Sequence, residues 1–178
     1  MTDAALQMER LPEKEAQIRR VLFVCTGNTC RSPMAAALYN DMMNPREVCS
    51  ACPDGALGRT VALASSAGLY AAEGMPISQG ALEALRGAGI PPHPMQDYTQ
   101  HRARAVTADM MAEADAVVAI SARHAMELIL RFPAYAGKVC TLPMDIADPY
   151  GGDITVYRQC LSQLRYALQA FCAKEWEE

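Results

Sequence analysis

Val21-Leu22-Phe23-Val24 is apolar at every position, and few folds can accommodate such a run. A strand with one wet face alternates apolar and polar residues. A short continuous run marks a strand covered on both faces, as in a parallel sheet between two helical layers. The run passes into the polar stretch Cys25–Ser32 and then into Pro33-Met34-Ala35-Ala36-Ala37-Leu38, a strong helix former. Ser32 reads as the N-cap of that helix and Pro33 as its first helical position.

The same alternation continues along the chain. Strands are predicted at Val61–Ser66, Ala116–Ile120 and Val139–Leu142. Helices are predicted over Ser78–Ala88, from Thr107 through Ala114, and over Ala122–Phe132, the last ending near Pro133. Tyr157, Cys160, Leu161, Leu164, Leu168 and Phe171 recur at helical spacing and mark a C-terminal helix packed on the sheet. Strands alternating with helices imply βαβ units, hence an α/β fold with a four-stranded parallel sheet and helices on both faces. A length of 178 residues suits one domain. Residues 1–18 are polar and read as a leader, leaving 19–178 as the domain. Residues 44–60, with Pro45, Pro53, Gly55 and Gly58, read as a loop.

The charge balance narrows the function. Sixteen Lys and Arg against twenty Asp and Glu give a net charge of −4, which argues against a nucleic-acid binder that relies on general basicity. No stretch approaches the length of a membrane span, and the N-terminus lacks the apolar core of a signal peptide. Seven cysteines, an odd number in a chain of this size, do not read as a disulfide framework, so a cytoplasmic chain with reduced thiols is the expectation. Cys49 and Cys52 form a lone C-x-x-C without a second pair at zinc spacing, so no metal site is expected. Cys140, Cys160 and Cys172 read as core residues, as do Met110, Met111, Met126 and Tyr157.

The chemistry lies in Cys25-Thr26-Gly27-Asn28-Thr29-Cys30-Arg31-Ser32. A cysteine follows a buried strand, and an arginine stands six residues later at the mouth of a helix. The five intervening residues let the backbone curl into a cup whose amides converge on one anion. The helix dipole adds positive potential there. The planar fork of Arg31 can hold two oxygens of a tetrahedral oxyanion, which a lysine could not do. The same field favours the thiolate of Cys25, a nucleophile aimed at phosphorus.

VLFVCTGNTCRSPMAAAL resembles the N-terminal signature of the low-molecular-weight protein tyrosine phosphatase family. Asp148-Pro149-Tyr150-Gly151-Gly152, Ser66-Ala67-Gly68 and His101-Arg102-Ala103-Arg104 resemble further marks of that family, in its order, from about Val21 to the C-terminus. The resemblance implies a single-domain, three-layer, doubly wound fold of the flavodoxin-like type. It implies a phosphocysteine on Cys25, Arg31 as the phosphate clamp and Asp148 as general acid and then base. Thr26, Gly27, Asn28, Thr29, Cys30 and Ser32 would complete the phosphate-binding loop. Ser66 and His101 would support it from neighbouring segments, with Arg104 structural. Tyr70 and Tyr150 resemble the aromatic walls of the family's cleft. Cys30 resembles a cysteine that can trap the nucleophile as a reversible disulfide, with a small apolar filler as the alternative.

The family divides at the residue before Cys30. Tyrosine-type members usually carry an aliphatic side chain there, whereas the bacterial arginine-phosphatase branch carries threonine, as here at Thr29. The resemblance therefore favours phosphoarginine over phosphotyrosine, with a phosphorylated protein as substrate and inorganic phosphate as product. No cofactor is expected, since Arg31 and the loop backbone supply the charge stabilisation a metal would otherwise give. No nucleic acid or membrane partner is expected, and a monomer is the expected state. Thioredoxin-coupled arsenate reductases share the fold and loop but relay a disulfide through cysteines after the second helix. Residues 75–138 contain none. A binding module that only recognises phosphate is the other rival, but it would normally have lost Cys25 or Asp148.

Overall fold

In a computed structural model, residues 18–43 and 61–175 are described. The leader through residue 17, the 44–60 loop and its C-x-x-C lie outside the described residues. Strand β1 spans Ile18–Cys25, β2 Val61–Gly68, β3 Ala116–Ala119 and β4 Val139–Thr141. All pair in parallel, in the order β2-β1-β3-β4. Helices α1 (Arg31–Met43), α2 (Gln79–Gly87), α3 (Ala108–Glu113), α4 (Ala122–Arg131) and α5 (Ile154–Glu175) cross between them. The α/β fold with a four-stranded parallel sheet is the one expected.

The period of two divides the core. Val21, Phe23 and Cys25 of β1 join Ala62, Ala64 and Val118 on one face, under α1, α2 and α5. Leu22 and Val24 join Ala67, Val117 and Ala119 on the other, under α3 and α4 through Met111, Ala125 and Leu128. Both faces of β1 are therefore dry, which is why its run does not alternate. The stripe from Tyr157 to Phe171 is buried along α5, and each fully buried leucine in it contributes about 1.5–3 kcal/mol. Met111 is fully buried, whereas Met126 is 66% exposed on the solvent side of α4 and is not a packing residue.

Two local expectations shift. β1 begins at Ile18, before the apolar run, because residues 18–20 pair with the start of β2 and Arg20 N donates to Asp115 Oδ2 at 2.7 Å. α1 begins at Arg31, not after a Ser32 cap. Met34 N reaches back to Cys30 O at 3.2 Å, so Pro33 sits inside the first turn, where its missing N–H costs nothing. The Ser32 hydroxyl is thereby released for another use.

The sheet order places the functional loop. Chain order reverses on either side of β1, and the loops after β1 and β3 diverge there. A crevice opens at this point in such sheets. The loop following β1 is Thr26–Cys30.

Candidate active site

Cys25 is the last residue of β1 and is buried, with Sγ 3.0 Å from Ser32 Oγ in the first turn of α1. Among the described residues, no acceptor in the protein takes a hydrogen bond from the amides of Gly27 through Arg31. Five consecutive unspent N–H groups stand beside a helix N-terminus, an arrangement from which an anion would gain.

Asn28 sets the shape of that cradle. Its φ is +58, the left-handed region, and it alone among the described non-glycine residues has positive φ. Asparagine tolerates this conformation better than most side chains. Here the side chain is also fully committed. Nδ2 donates to Ser32 Oγ and Ser66 Oγ, both at 2.9 Å, and Oδ1 accepts from Arg104 N at 3.0 Å. His101 Nε2 donates to the Asn28 carbonyl at 2.6 Å, which fixes the tautomer with the proton on Nε2. Arg104 Nε donates to Ser66 O at 3.0 Å. Ser66, His101 and Arg104 thus meet on one loop residue.

Because Asn28 fills one lone pair of Ser32 Oγ, the serine hydrogen is left for Cys25 Sγ or for Ala67 O at 3.3 Å. The neighbouring Gly68 is required by proximity, since a Cβ there would stand 2.7 Å from Thr26 O. The Ser66-Ala67-Gly68 motif therefore supplies one hydroxyl and one absent side chain to the loop.

Arg31 is buried, with Nη1 donating to Ile146 O at 3.2 Å and Nη2 paired to Asp148 Oδ2 at 2.9 Å. The Asp148 side chain is half exposed, and its other oxygen accepts from Tyr150 N at 3.2 Å. The Asp148 carboxylate and the Arg31 guanidinium thus stand together at the end of the loop. Tyr70 and Tyr150 are both exposed. Tyr70 N donates to Thr26 O at 2.9 Å, so the backbone of this residue is joined to the loop.

Cys30 turns its Sγ to Ser78 Oγ at 3.2 Å and Tyr157 OH at 3.4 Å. Burial, then the bond with Cys30, raises the Tyr157 hydroxyl to about 12. Burial likewise lifts the Cys160 thiol to about 12, which suits an inert core residue. Thr29 is half-buried and its carbonyl accepts from Ser78 N at 2.9 Å.

Two loop supports were not read from the sequence. Ser78 caps α2 and also holds Thr29 and Cys30. His124, buried in α4, places Nε2 2.9 Å from Thr26 Oγ1 and Nδ1 2.9 Å from Ser121 Oγ. Burial and then the charge of Arg31 hold the His124 imidazole below its ordinary value, so it is neutral at neutral pH. His101 is lowered chiefly by burial, against the opposing pull of its bond to Asn28. No group of three or more potential metal ligands occurs among the described residues.

Residues 20–178 match the low molecular weight phosphotyrosine protein phosphatase family. The chain belongs to this family. A protein-arginine-phosphatase of Geobacillus stearothermophilus is 36% identical over 162 residues, covering 87% of this chain and 95% of that one. A probable low molecular weight protein-tyrosine-phosphatase, EpsP, of Ralstonia nicotianae is 30% identical over 158 residues, covering 86% and 94%. The solved structure of the YwlE arginine phosphatase from G. stearothermophilus superposes with a TM-score of 0.71 at 34% identity, covering 88% and 92%. As a low molecular weight phosphatase, the chain is a hydrolase acting on phosphorylated protein and releasing phosphate. No helix among the described residues is long and apolar enough to cross a membrane.

Proposed function

We propose that Cys25 attacks the phosphorus of a phosphorylated arginine side chain and that Asp148 serves both halves of the reaction. In the first half the S–P bond forms and the P–N bond breaks. The leaving guanidinium nitrogen takes its proton from Asp148. In the second half water attacks phosphorus and the S–P bond breaks. Asp148 takes the water's proton, and phosphate leaves with the thiolate restored. Arg31 and the loop amides hold the phosphoryl oxygens as charge spreads over them. Thr26, Gly27, Thr29 and Cys30 supply loop backbone. Asn28, Ser32, Ser66 and His101 hold its shape, and Tyr70 and Tyr150 flank the substrate.

The observation that carries this chemistry is the buried Cys25 thiol between unspent amides, with the Arg31–Asp148 pair beside it. Thr29 favours phosphoarginine. An aliphatic residue there would suit a phenyl ring and crowd a guanidinium, whereas a hydroxyl leaves room and offers a polar contact. The named activity of the G. stearothermophilus relative supports the same choice. We further assign the segment from β1 onward, residues 18–178, to the catalytic domain, one residue earlier than the boundary expected from the sequence, and the residues before it to a leader. The enzyme acts as a cytoplasmic monomer, without nucleic acid or membrane as partner.

The test compares rates on a phosphoarginine-containing and a phosphotyrosine-containing protein for wild type, Thr29→Ile and Cys25→Ser. Wild type is expected to prefer phosphoarginine, and Thr29→Ile to move the preference toward phosphotyrosine. Cys25→Ser is expected to lose turnover by on the order of 10⁴-fold or more while still binding phosphate. A wild type that prefers phosphotyrosine overturns the substrate choice. A Cys25→Ser variant with near-normal turnover overturns the chemistry.

A further inference from the structure

Helix α4 carries His124, Glu127 and Arg131 at spacings of three and four, which is one helix face. A polar stripe of this kind ordinarily faces water. Here each member is engaged on the rim of the active site. His124 meets Thr26 of the phosphate loop. Glu127 Oε1 accepts from the Tyr70 hydroxyl and from Arg131 Nη2. Arg131 Nη1 donates to Leu69 O at 2.9 Å, and its guanidinium carbon lies 4.4 Å from the centre of the Tyr70 ring.

Tyr70 is 63% exposed. An exposed tyrosine with no partners turns between rotamers on a nanosecond scale. This one is held at three points. Its backbone N–H is bonded to the phosphate loop, its hydroxyl to Glu127, and one ring face is covered by Arg131. The covering cation leaves a single ring face for any other group. The helix that supplies the hold is itself fixed, since Leu128 is fully buried and Ala122 N is bonded to Asp145 Oδ1 at 3.0 Å. Glu127 stays charged, as the Tyr70 hydrogen bond first and Arg131 next hold its carboxyl below the ordinary value.

We infer that Glu127 and Arg131 are positioning residues that fix Tyr70 as a one-faced wall, and that they thereby set which phosphorylated side chains the cleft accepts. A flat side chain, whether phenyl or guanidinium, gains by lying on the open face of a ring that is already immobilised. A phosphate donor too small to reach the wall gains nothing. The inference rests on the phosphatase reading above and deepens it.

The experiment measures KM and kcat for wild type, Glu127→Ala, Arg131→Ala, Tyr70→Ala and the pair Tyr70→Ala/Arg131→Ala. The substrates are a phosphoarginine-containing protein, a phosphotyrosine peptide and acetyl phosphate. Met126→Ala, on the solvent side of the same helix, is the control. Glu127→Ala and Arg131→Ala are expected to raise KM about 5- to 10-fold for the two substrates with side chains, with kcat moving much less. Acetyl phosphate should register no comparable change. In the Tyr70→Ala background, Arg131→Ala should add nothing further.

Additive effects in the double variant overturn the inference, as does an equal rise in KM for acetyl phosphate. If Arg131→Ala does not fold, Arg131→Lys keeps the charge but loses the planar cover. It should then show the same split between substrates, and a wild-type KM from it also overturns the inference. Failure of wild type on every substrate would instead count against the phosphatase reading itself.

Discussion

The two sides of the phosphate loop are held by different means. On the inner side, Asn28, Ser32 and Ser66 form a buried, largely neutral network closed by the Arg104 amide and His101. On the outer side, α4 reaches Thr26 through His124 and Tyr70 through an exposed pair of opposite charges. Buried neutral bonds are costly to break because the orphaned partner cannot turn to water. Exposed charge pairs are worth little in stability and are screened by salt. On the proposed mechanism the inner side fixes the geometry on which turnover depends, while the outer side adjusts what enters. In a single eight-residue motif, shape and selectivity have separate supports.

The strongest attack on this contrast is Asn28→Ala. It takes one bond from Ser32 and leaves the Ser66 hydroxyl and the Arg104 amide without the partner they have here, while demanding φ +58 of alanine. The expected loss is about 2–6 kcal/mol of unfolding free energy from the two unpaired groups. A fall in kcat of about 100-fold or more should accompany it, from loss of loop geometry. Urea denaturation and steady-state rates check both. A near-normal kcat would mean the inner network does not set the chemistry. Asn28→Gly sharpens the point, since glycine accepts the backbone but makes no side-chain bonds. It should recover only the strain, about 1–2 kcal/mol, and little of the rate. Full recovery of the rate by glycine would assign Asn28 a purely backbone role.

The smallest expected effect lies on the outer side, in His124→Gln. At neutral pH kcat should change only a few fold, in contrast with Asn28→Ala. The informative reading is stability against pH. The imidazole of folded His124 is held below its ordinary value of 6.5, chiefly by burial. The unfolded chain therefore binds the proton first as pH falls. Stability is full above about 6.5. It declines below that point and stops declining only at the lower, folded value. His101 contributes in the same direction. Melting temperatures from pH 7.5 down to 5 should fall less steeply in His124→Gln than in wild type. Parallel curves would mean that His124 does not titrate with unfolding.

What was legible in the sequence follows range of interaction. The apolar run of β1, the spacing along α5 and the start of α3 at Thr107 act within a few residues. The cup between Cys25 and Arg31 is equally local, because strand, five residues and helix suffice to build it. Ser66, His101 and Asp148 could be picked out only through the family resemblance. Nothing in their own neighbourhoods distinguishes a strand-end serine, a solvated histidine or an Asp-Pro turn from a functional group.

The α4 stripe escaped both routes. His124 lies 98 residues from Thr26 and Glu127 lies 57 from Tyr70, so no local pattern links them. In sequence, polar residues at helical spacing read as the wet side of a helix. The sequence by itself determined the α/β layering and the curl of the loop between Cys25 and the start of α1, because hydrophobic periodicity and helix-terminus geometry operate over a single turn or strand. Only the tertiary structure decided that α4 faces the cleft. The placement of β3 beside β1 sets the start of α4 against the phosphate loop, and that adjacency turns a solvent-type face into the outer wall of the site.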